Sequence, residues 1–153
     1  MSFLLTLSDD KLFEVIPLLD KYEKKIEDAE ALFNLNGQKL EFVCKTLPHN
    51  LSSYDQSYQE LKSLEEWLES KRDKVQARLW KKYTEGYARA LSAKDIQAYI
   101  AGEPEYITFT EIILEVSHLK GKIFSIVEGF KTMNWMASNM VKLRVAEMQD
   151  AII

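Results

Sequence analysis

Glu115-Val116-Ser117-His118-Leu119-Lys120-Gly121-Lys122-Ile123-Phe124-Ser125-Ile126-Val127-Glu128-Gly129-Phe130-Lys131-Thr132-Met133-Asn134-Trp135-Met136-Ala137-Ser138-Asn139-Met140 is the stretch whose periodicity settles the fold class. Val116, Leu119, Ile123, Ile126, Phe130, Met133, Ala137 and Met140 recur at alternating spacings of three and four, so they share one side of a helix. The spacing predicts a heptad seam, read as an oligomer contact or as core. A second stripe, Ile113, Phe124, Val127, Val141 and Val145, widens the apolar face. A helix apolar over so much of its girth is covered on more than one side, by the chain's own helices or by another subunit.

Working outward, Pro104 fits the first turn of this helix, which is expected to reach about Met148. Residues 51–84 contain no Pro or Gly, and Leu61, Leu64, Leu68, Val75 and Leu79 keep helical spacing, so a second long helix is predicted there, ending near Gly86. Between the two, Ser92-Ala93-Lys94-Asp95 reads as the capped start of a short helix closing at Gly102. Upstream, Ser8 is a candidate cap for a helix with Leu12, Phe13, Val15 and Ile16 on its apolar side, interrupted or kinked at Pro17. A further helix is expected from about Leu18 to Leu35, stopped by Asn36-Gly37, and a short one from about Gln38 to Leu47, ended by Pro48. No run alternates as a strand does. The expectation is an all-α fold: an elongated helical bundle with two long helices, coiled-coil-like packing, one domain over residues 1–153, and assembly as a homo-oligomer.

Bulk composition agrees with a globular helical domain: 46% hydrophobic, 29% charged, three prolines and five glycines in 153 residues. The single cysteine, Cys44, excludes an internal disulfide and is expected as a buried apolar residue. The apolar run Phe3 to Leu7 has no basic segment before it and does not read as a signal peptide. No transmembrane window is present, so the reading is a soluble, cytoplasmic chain with no membrane partner.

Catalytic signatures are missing from the sequence. There is no phosphate-binding Gly-rich loop, no paired-His metal spacing and no Cys pair. His49 follows Pro48 and His118 lies far off in the last helix. No enzyme activity, cofactor or metal is expected. The methionine-rich end (Met133, Trp135, Met136, Met140, Met148) suits an adaptable oligomer contact.

Charge is where the sequence becomes specific. The chain is net −4, yet residues 71–89 hold seven Lys or Arg against Asp73 and Glu85. Within that island Lys71, Lys74, Arg78, Lys81 and Lys82 fall inside an arc of about 100° along about 16 Å of helix axis, while Arg72 points away. Such a stripe can follow successive phosphates of a single strand. Trp80 and Tyr83 supply flat surfaces on which exposed bases stack. The rival reading is a solvated face, or a dock for an acidic protein in a non-enzymatic scaffold or assembly factor.

Three segments carry a family resemblance. Ala77-Arg78-Leu79-Trp80-Lys81-Lys82-Tyr83-Thr84-Glu85-Gly86, then Leu91-Ser92-Ala93-Lys94-Asp95, then Val127-Glu128-Gly129-Phe130 followed by Asn134-Trp135 are similar to the UvsY family of phage recombination mediators. The resemblance runs from about Leu40 to Met148. It implies a homo-oligomer without enzymatic activity that binds single-stranded DNA. Such a protein helps load a RecA-like recombinase onto strands covered by single-strand-binding protein, in DNA recombination and repair, in the host cell cytoplasm. The family's Lys-x-Arg pair falls on Gln76-Ala77-Arg78, so Arg78 alone is carried over, with Lys74 one turn earlier. Glu128 stands where the family has a basic residue before Gly129-Phe130.

Overall fold

A computed structural model describes residues 12–87 and 89–150, with side chains described over 14–87 and 89–147. The expected Ser8 cap, the run Phe3 to Leu7 and the side chains of Leu12, Phe13 and Met148 lie outside what is described. Four helices, α1 (Leu12–Phe33), α2 (Leu40–Glu85), α3 (Ala93–Ala101) and α4 (Pro104–Asp150), account for nearly all of these residues, and no strand occurs among them. The protein is an all-α helical bundle. It divides into two compact units, one over Glu60–Leu119 and one over residues 12–59 and 120–150, and both long helices contribute to each.

The helix starts follow the local signals. Ser92 caps α3: its hydroxyl accepts from the Asp95 amide at 3.2 Å and donates to the Asp95 carboxylate at 2.7 Å. Pro104 opens α4, and Gly37, the only described glycine with positive φ (74°), turns the chain between α1 and α2.

Pro48 does not end a helix as expected, and Pro17, expected to interrupt or kink one, does not interrupt it. Pro17 lies inside a continuous α1 and Pro48 inside a continuous α2, so neither breaks its helix. A proline in a helix interior costs about 3 kcal/mol. Apolar burial on either side outweighs it: Val15, Leu19 and Tyr22 flank Pro17, and Val43, Leu47 and Tyr54 flank Pro48. At about 1.5–3 kcal/mol for each buried large side chain, three such residues more than offset one proline. Both prolines are exposed, which leaves the lost hydrogen bond on the wet side of the helix.

In the unit over Glu60–Leu119, Leu61, Leu64, Leu68, Val75 and Leu79 of α2, Ile96 and Ile100 of α3, and Phe109, Ile113, Val116 and Leu119 of α4 are buried. In the other, the core comprises Val15, Leu19, Tyr22 and Ala29 of α1, Val43, Leu47 and Tyr54 of α2, and Ile123, Val127, Phe130 and Ala137 of α4. Phe130 is its centre, stacked on Phe33 (centroids 4.7 Å apart, planes at 17°) and tilted against Tyr54 at 5.2 Å. Gly129 permits this, because a Cβ there would come within 2.7 Å of Phe33 Cζ. Lys25 joins α1 to α2: its ammonium donates to Ser53 O and Oγ at 2.8 Å and to Ser57 Oγ at 2.6 Å, and the Tyr54 hydroxyl donates to Lys25 O at 2.7 Å.

The seam on α4 divides. Val116, Leu119, Ile123, Phe130 and Ala137 are buried within the chain, Ile126 and Met133 are half-buried, and Met140 is exposed. Val127, placed by its spacing on the second stripe, is buried while Ile126 is not. A straight helix with 3.6 residues per turn drifts about 20° per heptad, which moves the buried line from one position to its neighbour. Cys44 is exposed rather than buried, since it is rotated about 100° from its buried neighbour Val43.

Candidate nucleic-acid interface

The basic end of α2 is helical throughout, because no breaker interrupts residues 51–84 and Leu68, Val75 and Leu79 hold its apolar side in the core. That burial turns the cationic side outward. Lys74, Arg78, Lys81 and Lys82 are exposed, and Lys71 is half-buried with its ammonium 5.5 Å from the centre of the Trp67 ring. Arg72, off the stripe, is half-buried with its Nε near Asp73 at 4.0 Å.

What the sequence did not reveal is a pair of carboxylates brought to this stripe by the turn between α3 and α4. Glu105 bonds the Arg78 guanidinium, and Glu103 accepts from Lys82 Nζ at 3.2 Å and from the Tyr83 hydroxyl. Twenty or more residues separate these partners in the chain, so no local spacing announces them. Lys74 and Lys81 have no ion-pair partner among the described residues.

The shared bond shifts both groups of its strongest pair. Donation to Glu103, with desolvation and the nearby carboxylate charge, pushes the Tyr83 phenol up to about 12. The same bond, with a second from Lys82, holds Glu103 below the ordinary carboxylate range. Arg78 and Lys82 are well exposed, and exposed ion pairs contribute about 0–1 kcal/mol. A polyanion laid along the stripe therefore competes with Glu103 and Glu105 at small cost.

Aromatic side chains gather at the same end. Tyr83 of α2, Tyr87 in the following loop and Tyr99 of α3 form one cluster, with centroids 5.4 Å apart for Tyr83 and Tyr99, 6.2 Å for Tyr87 and Tyr99, and 5.8 Å for Tyr83 and Tyr87. Tyr83 is half-buried, while Tyr87 and Tyr99 are 49% and 47% exposed. Trp80 is at the edge of exposure, 37%, and is not among the rings in contact with this cluster. Tyr99 carried no signal in the sequence, because α3 is too short for its apolar and aromatic positions to show which way they face.

A second feature lies on the other unit. Phe33, Leu40, Val43, Met133, Met136 and Met140 line an apolar groove of about 330 Å³ with Arg144 at its side. Beyond it Trp135, Leu143 and Val145 stand exposed on α4.

Among the described residues no group of three or more His, Cys, Asp or Glu is placed to hold a metal ion, and no helix is long and apolar enough to cross a membrane. His49 and His118 are both exposed. Compared with family models, with curated proteins and with solved structures, the chain matches none.

Proposed function

We propose that this protein is a non-enzymatic, homo-oligomeric single-stranded-DNA-binding mediator of recombination, which uses the basic end of α2 to hold the strand. Loading of a RecA-like recombinase onto strands covered by single-strand-binding protein is the role the UvsY-like resemblance implies, and it completes the proposal. The observation that supports strand binding is the stripe itself: Lys74 and Lys81, exposed and without an ion-pair partner among the described residues, flank the exposed and readily competed Arg78, next to partly open tyrosines. Lys71 and Lys82 extend the same line.

Assembly would rest on the end of α4. The seam that packs inside the chain as far as Ala137 continues at the same spacing to Met140, which is exposed, and the exposed Met136 and Leu143 adjoin it. A second copy of this helix is the occupant whose pattern continues that packing. Several stripes on one oligomer then act on one strand, and weak contacts gain effective concentration.

The test is anisotropy of a fluorescent single-stranded oligonucleotide across a salt series, with a duplex of equal length as control. Five phosphate contacts per protomer give a log–log slope of about −3.5, and the slope is shallower to the extent that Glu103 and Glu105 keep Lys82 and Arg78 occupied. Lys74→Glu with Lys81→Glu is expected to abolish binding with helicity unchanged. Full binding by that folded variant would exclude the stripe.

One observation favours the alternative, a helical scaffold that docks an acidic protein. Arg78 and Lys82 already take carboxylates, those of Glu105 and Glu103. On that reading the purified protein carries no nucleic acid, seen as a low 260/280 nm absorbance ratio, and does not bind the oligonucleotide even at low salt.

A further inference from the structure

We infer that Tyr87 and Tyr99, held in place by Tyr83, form a stacking platform for an unpaired nucleobase at the end of the basic stripe. This rests on the single-strand reading above and adds the element that reads bases to the element that holds phosphates.

Three observations on one small surface carry it. Two large aromatic side chains from different elements, the loop after α2 and helix α3, lie near-parallel (19°) and remain about half exposed. Burying such rings completely is worth about 25 cal/mol for each Å² removed from water, so a cluster built for stability alone forfeits much of that gain. The platform is also ordered in advance. Tyr83 stacks on Tyr99 at 5.4 Å and 19°, and its hydroxyl is fixed by Glu103. A base meeting rings already held costs less ordering entropy than one meeting mobile side chains. Finally, charge stands beside the rings: Lys82 Nζ is 5.3 Å from the Tyr83 ring centre, with exposed Lys81 next to it in the chain. A base on the tyrosines and its neighbouring phosphates on the lysines is the pairing of stacking and electrostatics that single strands use.

Trp80, the strongest stacking residue by composition, is not part of this cluster. The platform therefore assigns base contact to Tyr99, a residue outside the basic island, and to Tyr87.

The experiment compares the full-length wild type, Tyr87→Ala with Tyr99→Ala, and Tyr87→Phe with Tyr99→Phe, each against oligothymidylate and an abasic oligomer of equal length. The Ala pair is expected to lose about 5- to 150-fold in affinity for oligothymidylate, the range for one stacked base. The Phe pair retains binding. The abasic oligomer binds wild type and the Ala pair alike, and the salt slope is unchanged because the phosphate contacts remain. An Ala pair that binds oligothymidylate as wild type does would overturn the platform and leave the stripe standing. Photocrosslinking of wild type to an oligonucleotide bearing 5-iodouracil decides the matter without any variant, should the Ala pair fail to fold. Adducts on Tyr87 or Tyr99 support the platform, and adducts confined to Trp80 overturn it. Absence of all single-strand binding at low salt removes the stripe reading, and the platform with it.

Discussion

Tyr83 and Glu103 show how one hydrogen bond defines a residue's behaviour over two ranges of pH. The phenol, raised to about 12, keeps its contribution in full below its ordinary value of 10 and loses it as pH rises through about 12. Glu103, lowered, contributes fully above the ordinary carboxylate value, and that contribution disappears as pH falls through its own depressed value. In an alkaline absorbance titration of the seven tyrosines, Glu103→Gln is expected to return one of them towards 10 and to leave Tyr54, raised chiefly by burial, where it was. An unchanged titration would mean the bond does not form. Gly129 offers a second residue-scale test. Glycine in a helix is about 1 kcal/mol worse than alanine, so Gly129→Ala should stabilise α4 if nothing opposes the new methyl. Phe33 opposes it, at 2.7 Å from the Cβ position, and must leave its stack on Phe130. We expect Gly129→Ala to be neutral or destabilising in the wild type and stabilising by up to about 1 kcal/mol in a Phe33→Ala background, with the coupling read from denaturant melts. Glycine at position 129 thus has a packing cause, which single-sequence spacing did not disclose.

At the scale of elements, local rules placed the capped starts and the glycine-marked stops, and failed at the internal prolines. The Ser92 cap and the Pro104 entry to α4 are set by side chains within a few residues of the helix end. Whether Pro48 ends a helix depends instead on how much apolar surface lies beyond it, and Leu61, Leu64 and Leu68 keep α2 going. Pro48→Ala is accordingly expected to stabilise the protein by about 2 kcal/mol, from about 3 kcal/mol regained in the helix less about 1 kcal/mol of added entropy in the unfolded chain. A drop in urea midpoint would show that the proline shapes α2 in a way its packing requires. The seam on α4 was legible as a heptad pattern, but the shift from Ile126 to Val127 was not. That shift comes from the twist of a straight helix relative to its neighbours rather than from residue type.

For the molecule as a whole, linked action of several stripes on one strand requires more than one copy. Light scattering of the wild type should give a mass that is a multiple of 17.8 kDa. Met140→Glu with Leu143→Glu, both at exposed positions, should lower it to that of one chain with helicity retained. The same variant should bind single-stranded DNA more weakly although Lys74 and Lys81 are untouched, since linked sites are lost. A monomeric wild type would remove the oligomer from the proposal and leave the stripe to act alone.

The sequence by itself determined the all-α class, both long helices, the capped short helix and the position of a cationic stripe between Lys71 and Lys82. Each of these is a statement about residues a few positions apart, and helical geometry converts spacing of that kind directly into a shared face. Only the tertiary structure decided that the stripe meets Glu103 and Glu105, that Tyr99 joins Tyr83 and Tyr87, that Phe33 rests on Gly129, and that α4 is covered as far as Ala137 and open beyond it. Those contacts join residues from about a dozen to nearly a hundred positions apart. They are selected by which apolar faces bury each other, a choice that belongs to the whole bundle and leaves no periodic trace in any one segment.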